Sequence, residues 1–308
     1  MPKMTLIYQG ADITQDVDIV ECLHSDVSGG ACDCLNIKLD HAEKWFSWGT
    51  EKNDTLQIQR SGYDTGILYL NTVAPEGGAY RIYATSAKCV PFLPASRSYQ
   101  NTTLAAIMAS CGGECNMGAK QYGAAGGTPY AYLLRQNETP PAFLERLCAM
   151  EGAVLKTFGG DFIAIDVLTA QDLPAMHELS LEADQMDSYY IDRRDTLWAS
   201  VTIKTPFGSG SARDADAAGG AEKMFTHIAV EDDAQAKRWA RGLLLMHNRK
   251  AESLEIEMDF NPGYTAMVRV DVSSKTDAAG QWVIDQVHHD FINGRTGARL
   301  LRCRTGIT

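Results

Sequence analysis

Alternation of apolar and polar side chains with period two dominates the first ninety residues. In "DCLNIKLD", Leu35, Ile37 and Leu39 alternate with Cys34, Asn36 and Lys38, the pattern of a strand with one buried face. "TLQIQRSGYDTGILYLNTV" repeats it: Leu56 and Ile58 alternate with glutamines, a Ser-Gly-Tyr-Asp-Thr-Gly stretch turns the chain, and a second apolar strand follows. "YRIYATSAKCV" supplies another, and Pro91 and Pro94 close the series. This spacing predicts an antiparallel sandwich or barrel over residues 1–94.

The period then changes. Leu104, Ile107 and Met108 share one face of a short predicted helix that Asn101 or Thr102 caps and Gly112 ends. After the Gly-rich "GAAGGTPY", the stretch "RQNETPPAFLERLCAMEG" at 135–152 predicts a second helix. Thr139 caps it, and Pro140 and Pro141 occupy its first turn, where a missing N–H costs little. Phe143, Leu144, Leu147 and Cys148 form its buried face, the charges stay in solvent, and Gly152 terminates it. "AVLKTFGGDFIAIDV" is a hairpin turning at Gly159–Gly160. Residues 95–168 thus read as a small α/β insert.

Strand grammar returns from about residue 170. "TLWASVTIKTP" precedes the small-residue segment "FGSGSARDADAAGG" (207–220), expected as a mobile loop. "VEDDAQAKRWARGLLLMHNRK" is the clearest helix, with Ala236, Trp239, Ala240, Leu243 and His247 on one stripe, acids at its start and bases at its end. "SLEIEMDF", "YTAMVRVDV", "QWVIDQV" and "RLLRCRT" supply further strands, so 169–308 reads as a second β domain carrying one helix.

Composition narrows the function classes. A chain of 308 residues, 45% hydrophobic and 22% charged, suits two or three globular domains. With 28 basic against 39 acidic residues the net charge is −11, which argues against specific nucleic-acid binding through phosphate contacts. No signal-type N-terminus and no run of about 20 apolar residues is present, which implies folding in the cytoplasm and no membrane span. Eight scattered cysteines are expected to be reduced.

Candidate chemistry is thin. Cys111 and Cys115, with Cys32 and Cys34, offer four thiols to a metal, but C-x-C in a strand is poor zinc spacing. The better reading makes Cys32 and Cys34 small side chains on one strand face and Cys111 a helix end. His288, His289 and Asp290 offer ligand types, yet adjacent strand histidines face opposite ways. No nucleophile signature and no phosphate-binding glycine pattern is found. The expectation is no catalytic, metal or cofactor-binding residue and no cofactor.

"SRSYQNTTLAAIMASCG" and "LLRQNETPPAFLERLCAMEGAVLKTFGGDFIAID" resemble the insert pattern of phage late control D proteins, the baseplate hubs of contractile tails. The residues carrying the likeness are Tyr99, Thr103, Leu104, Ile107, Gln136, Glu138, Thr139, Phe143, Leu144, Arg146, Leu147, Glu151 and Gly152. "IYQGADITQDVDIVECLHSDVSGGACDCLNIKLD" is similar to the family's first strand pair, and "FNPGYTAMVRV" with "WVIDQVHHDF" follows in the family's order. The resemblance implies a mainly β fold, with two tube-type antiparallel β-barrel domains (1–94 and 169–308) flanking an α/β insert (95–168).

It further implies a non-enzymatic structural protein of the virion tail baseplate or of a phage-tail-like particle, assembled in the host cytoplasm. As a homotrimer it would join a hexameric tail tube to a trimeric central spike, with tape measure and baseplate wedge proteins as further partners. It is also similar to the hub part of type VI secretion spike proteins; since the sequence lacks a β-helical spike, a separate spike protein is expected. An acidic ring would suit a lumen through which cargo slides without sticking. The alternative is a tail-associated cell-wall hydrolase with the insert as its catalytic domain and Glu138 and Cys148 as the residues to suspect.

Overall fold

The computed structural model describes residues 4–40, 45, 47–90, 92–184 and 186–308; Pro91 lies outside the described residues. The alternating segments form the strands that their pattern predicts. Leu35, Ile37 and Leu39 are buried on Cys34–Asp40, Leu56 and Ile58 on Thr55–Arg60, and Leu254 and Ile256 on Glu252–Asp259. All three strands belong to one large sheet. From one end its main path runs through Asp187–Asp192, Glu252–Asp259, Arg295–Arg302, Gly280–Asp290, Asp18–Val27, Cys34–Asp40, Ala79–Thr85, Leu68–Glu76, Thr55–Arg60, Thr5–Tyr8 and Ala11–Asp12. Neighbours on this path are antiparallel, while His177–Ser180 and Arg269–Ser273 attach beside it as a parallel pair. The "YTAMVRVDV" strand is shorter than expected and begins only at Arg269, because Met267 takes a positive φ of 70°.

The two β regions meet inside this sheet. Gly280–Asp290 pairs with Asp18–Val27, with His289 opposite His24 and Gln286 opposite Val27. Each region nevertheless has its own core. Leu6, Ile37, Trp45, Ile58 and Ile82 anchor the first, and Leu254, Val270, Trp282, Ile284 and Leu300 the second.

A third core fills the insert. Helix α1 (Leu104–Glu114) is capped by Thr103, whose Oγ1 accepts from the Ala106 N–H. Asn101 and Thr102, the expected caps, instead lie in a strand, Ala95–Thr103, that pairs with Pro129–Glu138. This ribbon is exposed on both faces over most of Ala95–Thr103, so it has no alternation to reveal it. α1 also runs past Gly112, and Cys115 rather than Cys111 closes it. Helix α2 (Pro140–Met150) starts at the Thr139 cap as expected. The hairpin of Ala153–Phe158 and Asp161–Asp166 follows, and helix α3 (Val167–Asp172) comes after it.

The insert core continues into the later chain. Helix α4 (Asp233–Asn248) buries Ala236, Trp239 and Ala240 together with Leu244 and Leu245; Leu243 and His247, expected on that stripe, sit at its half-buried margin, where the His247 ring stacks on Trp198 at 3.6 Å. Gly242 lets α4 cross the end of α2, since a Cβ there would stand 2.0 Å from the Met150 carbonyl oxygen. The segment expected as a mobile loop is ordered: Ser209–Arg213 and Ala221–Phe225 flank Trp198–Lys204 in a three-stranded sheet. Its small residues serve close approach, for a Cβ on Gly210 would meet the Lys237 nitrogen at 2.1 Å. Gly208 likewise lies against the start of α4, where a Cβ would stand 2.4 Å from the Asp232 carbonyl carbon.

One buried ionic cluster ties the three regions together. Lys156, on the insert hairpin, donates from Nζ to Asp26 Oδ1 at 2.5 Å, to both Asp33 oxygens at 2.8 Å, and to the Val27 carbonyl at 2.9 Å. Asp26 lies on the first region's seam strand, and its other oxygen accepts from the Ala266 N–H of the second region at 3.0 Å. Burial pushes the Asp33 carboxyl up to about 6 against the pull of Lys156. Beside it on the seam, His289 is fully buried; its Nε2 donates to the Tyr264 carbonyl and its Nδ1 accepts from the Thr296 hydroxyl. Burial depresses His289 to about 4 and His24 to about 3.

Two predictions follow from this junction. Lys156→Met leaves two buried carboxylates without their cation and is expected to cost about 3–5 kcal/mol in chemical denaturation. Adding Asp26→Asn and Asp33→Asn in the same chain should recover most of that loss; no recovery would mean that the cluster is not the origin. The second concerns pH. His24 and His289 bind protons less readily folded than unfolded, so the stability they contribute is present above about 6.5 and is lost progressively as pH falls from there through their folded values of about 3 and about 4. Asp33 has the opposite sign, its raised carboxyl favouring the folded state as pH falls through about 6. With two groups against one, Tm should fall between pH 7 and 5, and His289→Gln should flatten the slope.

Candidate functional site

The charged stretch 135–152 is the natural place to look for chemistry, and its side chains are held as anchors. Arg135 is buried rather than solvated: its Nη2 pairs with Glu114 Oε2 at 2.8 Å, and Arg97, directly opposite on the ribbon, donates to Glu114 Oε1 at 2.8 Å. One carboxylate at the end of α1 thus neutralises a like-charged cross-strand pair. Glu151 is likewise buried. It accepts from the Tyr130 hydroxyl at 2.7 Å, Trp239 Nε1 at 2.6 Å and Arg238 Nε at 2.8 Å. That carboxylate joins the ribbon, the end of α2 and α4. The expectation that these charges form a solvated face fails for Arg135 and Glu151, because each pairs with residues distant in sequence, Arg135 with Glu114 and Glu151 with Tyr130, Arg238 and Trp239; Glu145 is exposed as expected.

The two residues suspected of catalysis are poorly placed for it. Cys148 has no exposed surface, and burial, reinforced by Glu151 and Glu145, pushes its thiol up to about 12. A thiol of that kind is protonated and inert at neutral pH. Glu138 forms a bidentate pair with Arg146, at 2.8 and 2.7 Å, which holds its carboxyl below the usual range. A general acid needs the opposite shift.

The other candidates are dispersed. Cys111 and Cys115 are buried in the insert core, burial raising both thiols, Cys115 to about 12. Cys34 is exposed at the start of its strand and Cys32 precedes that strand, so the two do not share a strand face. His288 is exposed and its neighbour His289 buried, the opposite facing expected of adjacent strand residues. Among the described residues no group of three or more His, Cys, Asp or Glu side chains gathers as metal ligands would.

The residues that carry the family likeness have packing and capping roles. Tyr99 stacks on Phe143 with rings 5° from parallel at 5.7 Å; Thr103 and Thr139 cap α1 and α2; Leu104, Ile107, Leu144 and Leu147 are fully buried. The open surface lies elsewhere. A groove of about 710 Å³ crosses the sheet at the seam, with Leu23, Tyr189, Glu255, Glu257, His288 and Arg295 on its walls. Its breadth and mixed lining fit a contact surface better than an enclosed substrate pocket.

No family model and no curated protein matches the chain. Solved structures do match, over almost its whole length. The 43 kDa tail protein of prophage MuSo2 from Shewanella oneidensis superposes with a TM-score of 0.76 at 12% identity, over 98% of each chain. A tail protein from Neisseria meningitidis MC58 gives 0.73 at 10% identity, over 98% of this chain and 96% of the other. The E. coli c3393 protein, a type VI secretion component structurally similar to T4 tail proteins gp27 and gp5, gives 0.58 at 11% identity, over 97% of this chain and 76% of that one. The chain has the fold of these phage tail and type VI secretion proteins.

Proposed function

We propose that the protein is a late control D-type baseplate hub of a contractile phage tail or tail-like particle. In this reading residues 1–94 and 169–308 are two tube-type barrel units and 95–168 the insert between them. The observation that carries it is the seam: two β regions with separate cores share one sheet, within a fold matched end to end by phage tail proteins. Three chains with two such units each make a six-unit ring from a three-fold assembly, the geometry needed between a hexameric tail tube and a trimeric central spike. Tape measure and wedge proteins are the further partners, and the net charge of −11 suits a lumen lined by acids. Structural work of this kind needs rigid, buried anchors, and Arg135, Glu151 and Lys156 supply them.

Native mass spectrometry of the chain alone and mixed with its spike protein tests this. The expected particle contains three copies of the 33.7 kDa chain, with the spike present if trimerisation needs it; a monomer in both samples, or a ring of any other order, contradicts the proposal. The hub reading makes a separate prediction against the hydrolase alternative. Purified protein should release no muropeptides from peptidoglycan, and the Cys148→Ala and Glu138→Gln variants should behave like wild type; release that either variant abolishes would replace the hub with an enzyme.

A further inference from the structure

Five cations are buried among the described residues: Arg60, Arg135, Lys156, Arg249 and Arg304. Four have a carboxylate partner. Arg135 pairs with Glu114 at 2.8 Å, Lys156 with Asp26 and Asp33, Arg249 with Asp285 at 3.4 Å, and Arg304 with Glu252 at 3.0 Å. Arg60, only 6% exposed, has none among the described residues. Its Nη1 donates to the Phe291 carbonyl, the guanidinium lies 4.9 Å from the Phe260 ring centroid, and Nε is buried without a partner. Burying a full positive charge against one carbonyl and a ring face is costly unless an anion completes the site.

The local sequence places this charge at an opening. Arg60 continues the inward phase of Leu56 and Ile58, and Ser61 and Gly62 then turn at positive φ, 52° and 87°, before Tyr63 pairs back on Arg60. Arg60 lines a cleft of about 290 Å³ at this turn, together with Thr5, Gln59, Ser61 and Gly62. Asp64, the one carboxylate on its wall, is occupied by the Gln57 and Gln59 amides and the Gly66 N–H.

We propose that this cleft is an anion site, in which the Arg60 guanidinium binds a carboxylate or small oxyanion. Guanidinium favours such planar or tetrahedral oxyanions through paired N–H donors. Two sources share that chemistry, a free anion and an acidic side chain of a second copy of this strongly acidic chain. The site stands without the hub reading; only the second-copy source rests on self-association.

Titration of the full chain with inorganic phosphate at constant ionic strength tests the site. Calorimetry should show saturable binding with one site per chain, and Tm should rise by about 2–4 °C near saturation. Both responses should vanish in Arg60→Gln and also in Ser61→Asp, which places a carboxylate beside the guanidinium on an exposed turn that tolerates Asp. Sedimentation separates the sources. Self-association weakened by phosphate and by Arg60→Gln points to a carboxylate of the second copy; association indifferent to both, with phosphate binding intact, points to a free anion. Absence of saturable binding together with unchanged self-association overturns the proposal, as does phosphate binding that persists in Ser61→Asp or Arg60→Gln.

Discussion

The structure depends on the Lys156 ammonium held between Asp26 and Asp33. Removing three charges from water costs several kcal/mol per ion, and only short, complete hydrogen bonding offsets that. Here the geometry supplies it: Lys156 has four close acceptors, and the second oxygen of Asp26 takes an N–H from the far β region. An apolar cluster of the same size is often as stabilising or more so, but it lacks the fixed donor–acceptor geometry present here. The cluster fixes where the insert hairpin sits on the seam, and with it the register of insert, first region and second region. Glu151 plays a similar part further out, by tying α4 to the ribbon and the end of α2.

The same logic accounts for the charged and thiol groups of the 135–152 stretch, which are held in place by buried contacts and ion pairs. Catalytic groups are poised by shifts toward reactivity, whereas Cys148 and Cys115 are shifted away from it and Glu138 is locked by Arg146. These contacts fix the orientation of the three parts. A part that transmits load between other proteins needs that fixity, and the hub proposal draws on it.

Much of the fold was legible in the residues. Period-two alternation located the strands around Leu35–Leu39, Leu56–Ile58 and Leu254–Ile256, and caps located α2, since both signals are local. What escaped was set by distant partners. The Ala95–Thr103 ribbon has no alternation, Gly208 and Gly210 report closeness to α4, and the burial of Arg135 and Glu151 depends on Glu114, Arg238 and Trp239. Two signals were nevertheless present. Lys156 interrupts the apolar run "AVLKTF", and Arg60 falls in phase with the inward residues of its strand. A charge at an inward position announces that a partner must exist, though not which one.

Hydrogen exchange on the Lys156→Met chain tests most directly whether the three regions are one mechanical unit. Faster exchange is predicted together in Ala153–Phe158, in Asp18–Val27 and in the Gly280–Asp290 strand paired with it, with the outer strands of each region unchanged. Faster exchange confined to the hairpin, with the seam strands protected as in wild type, would contradict the account and leave the insert an independent appendage.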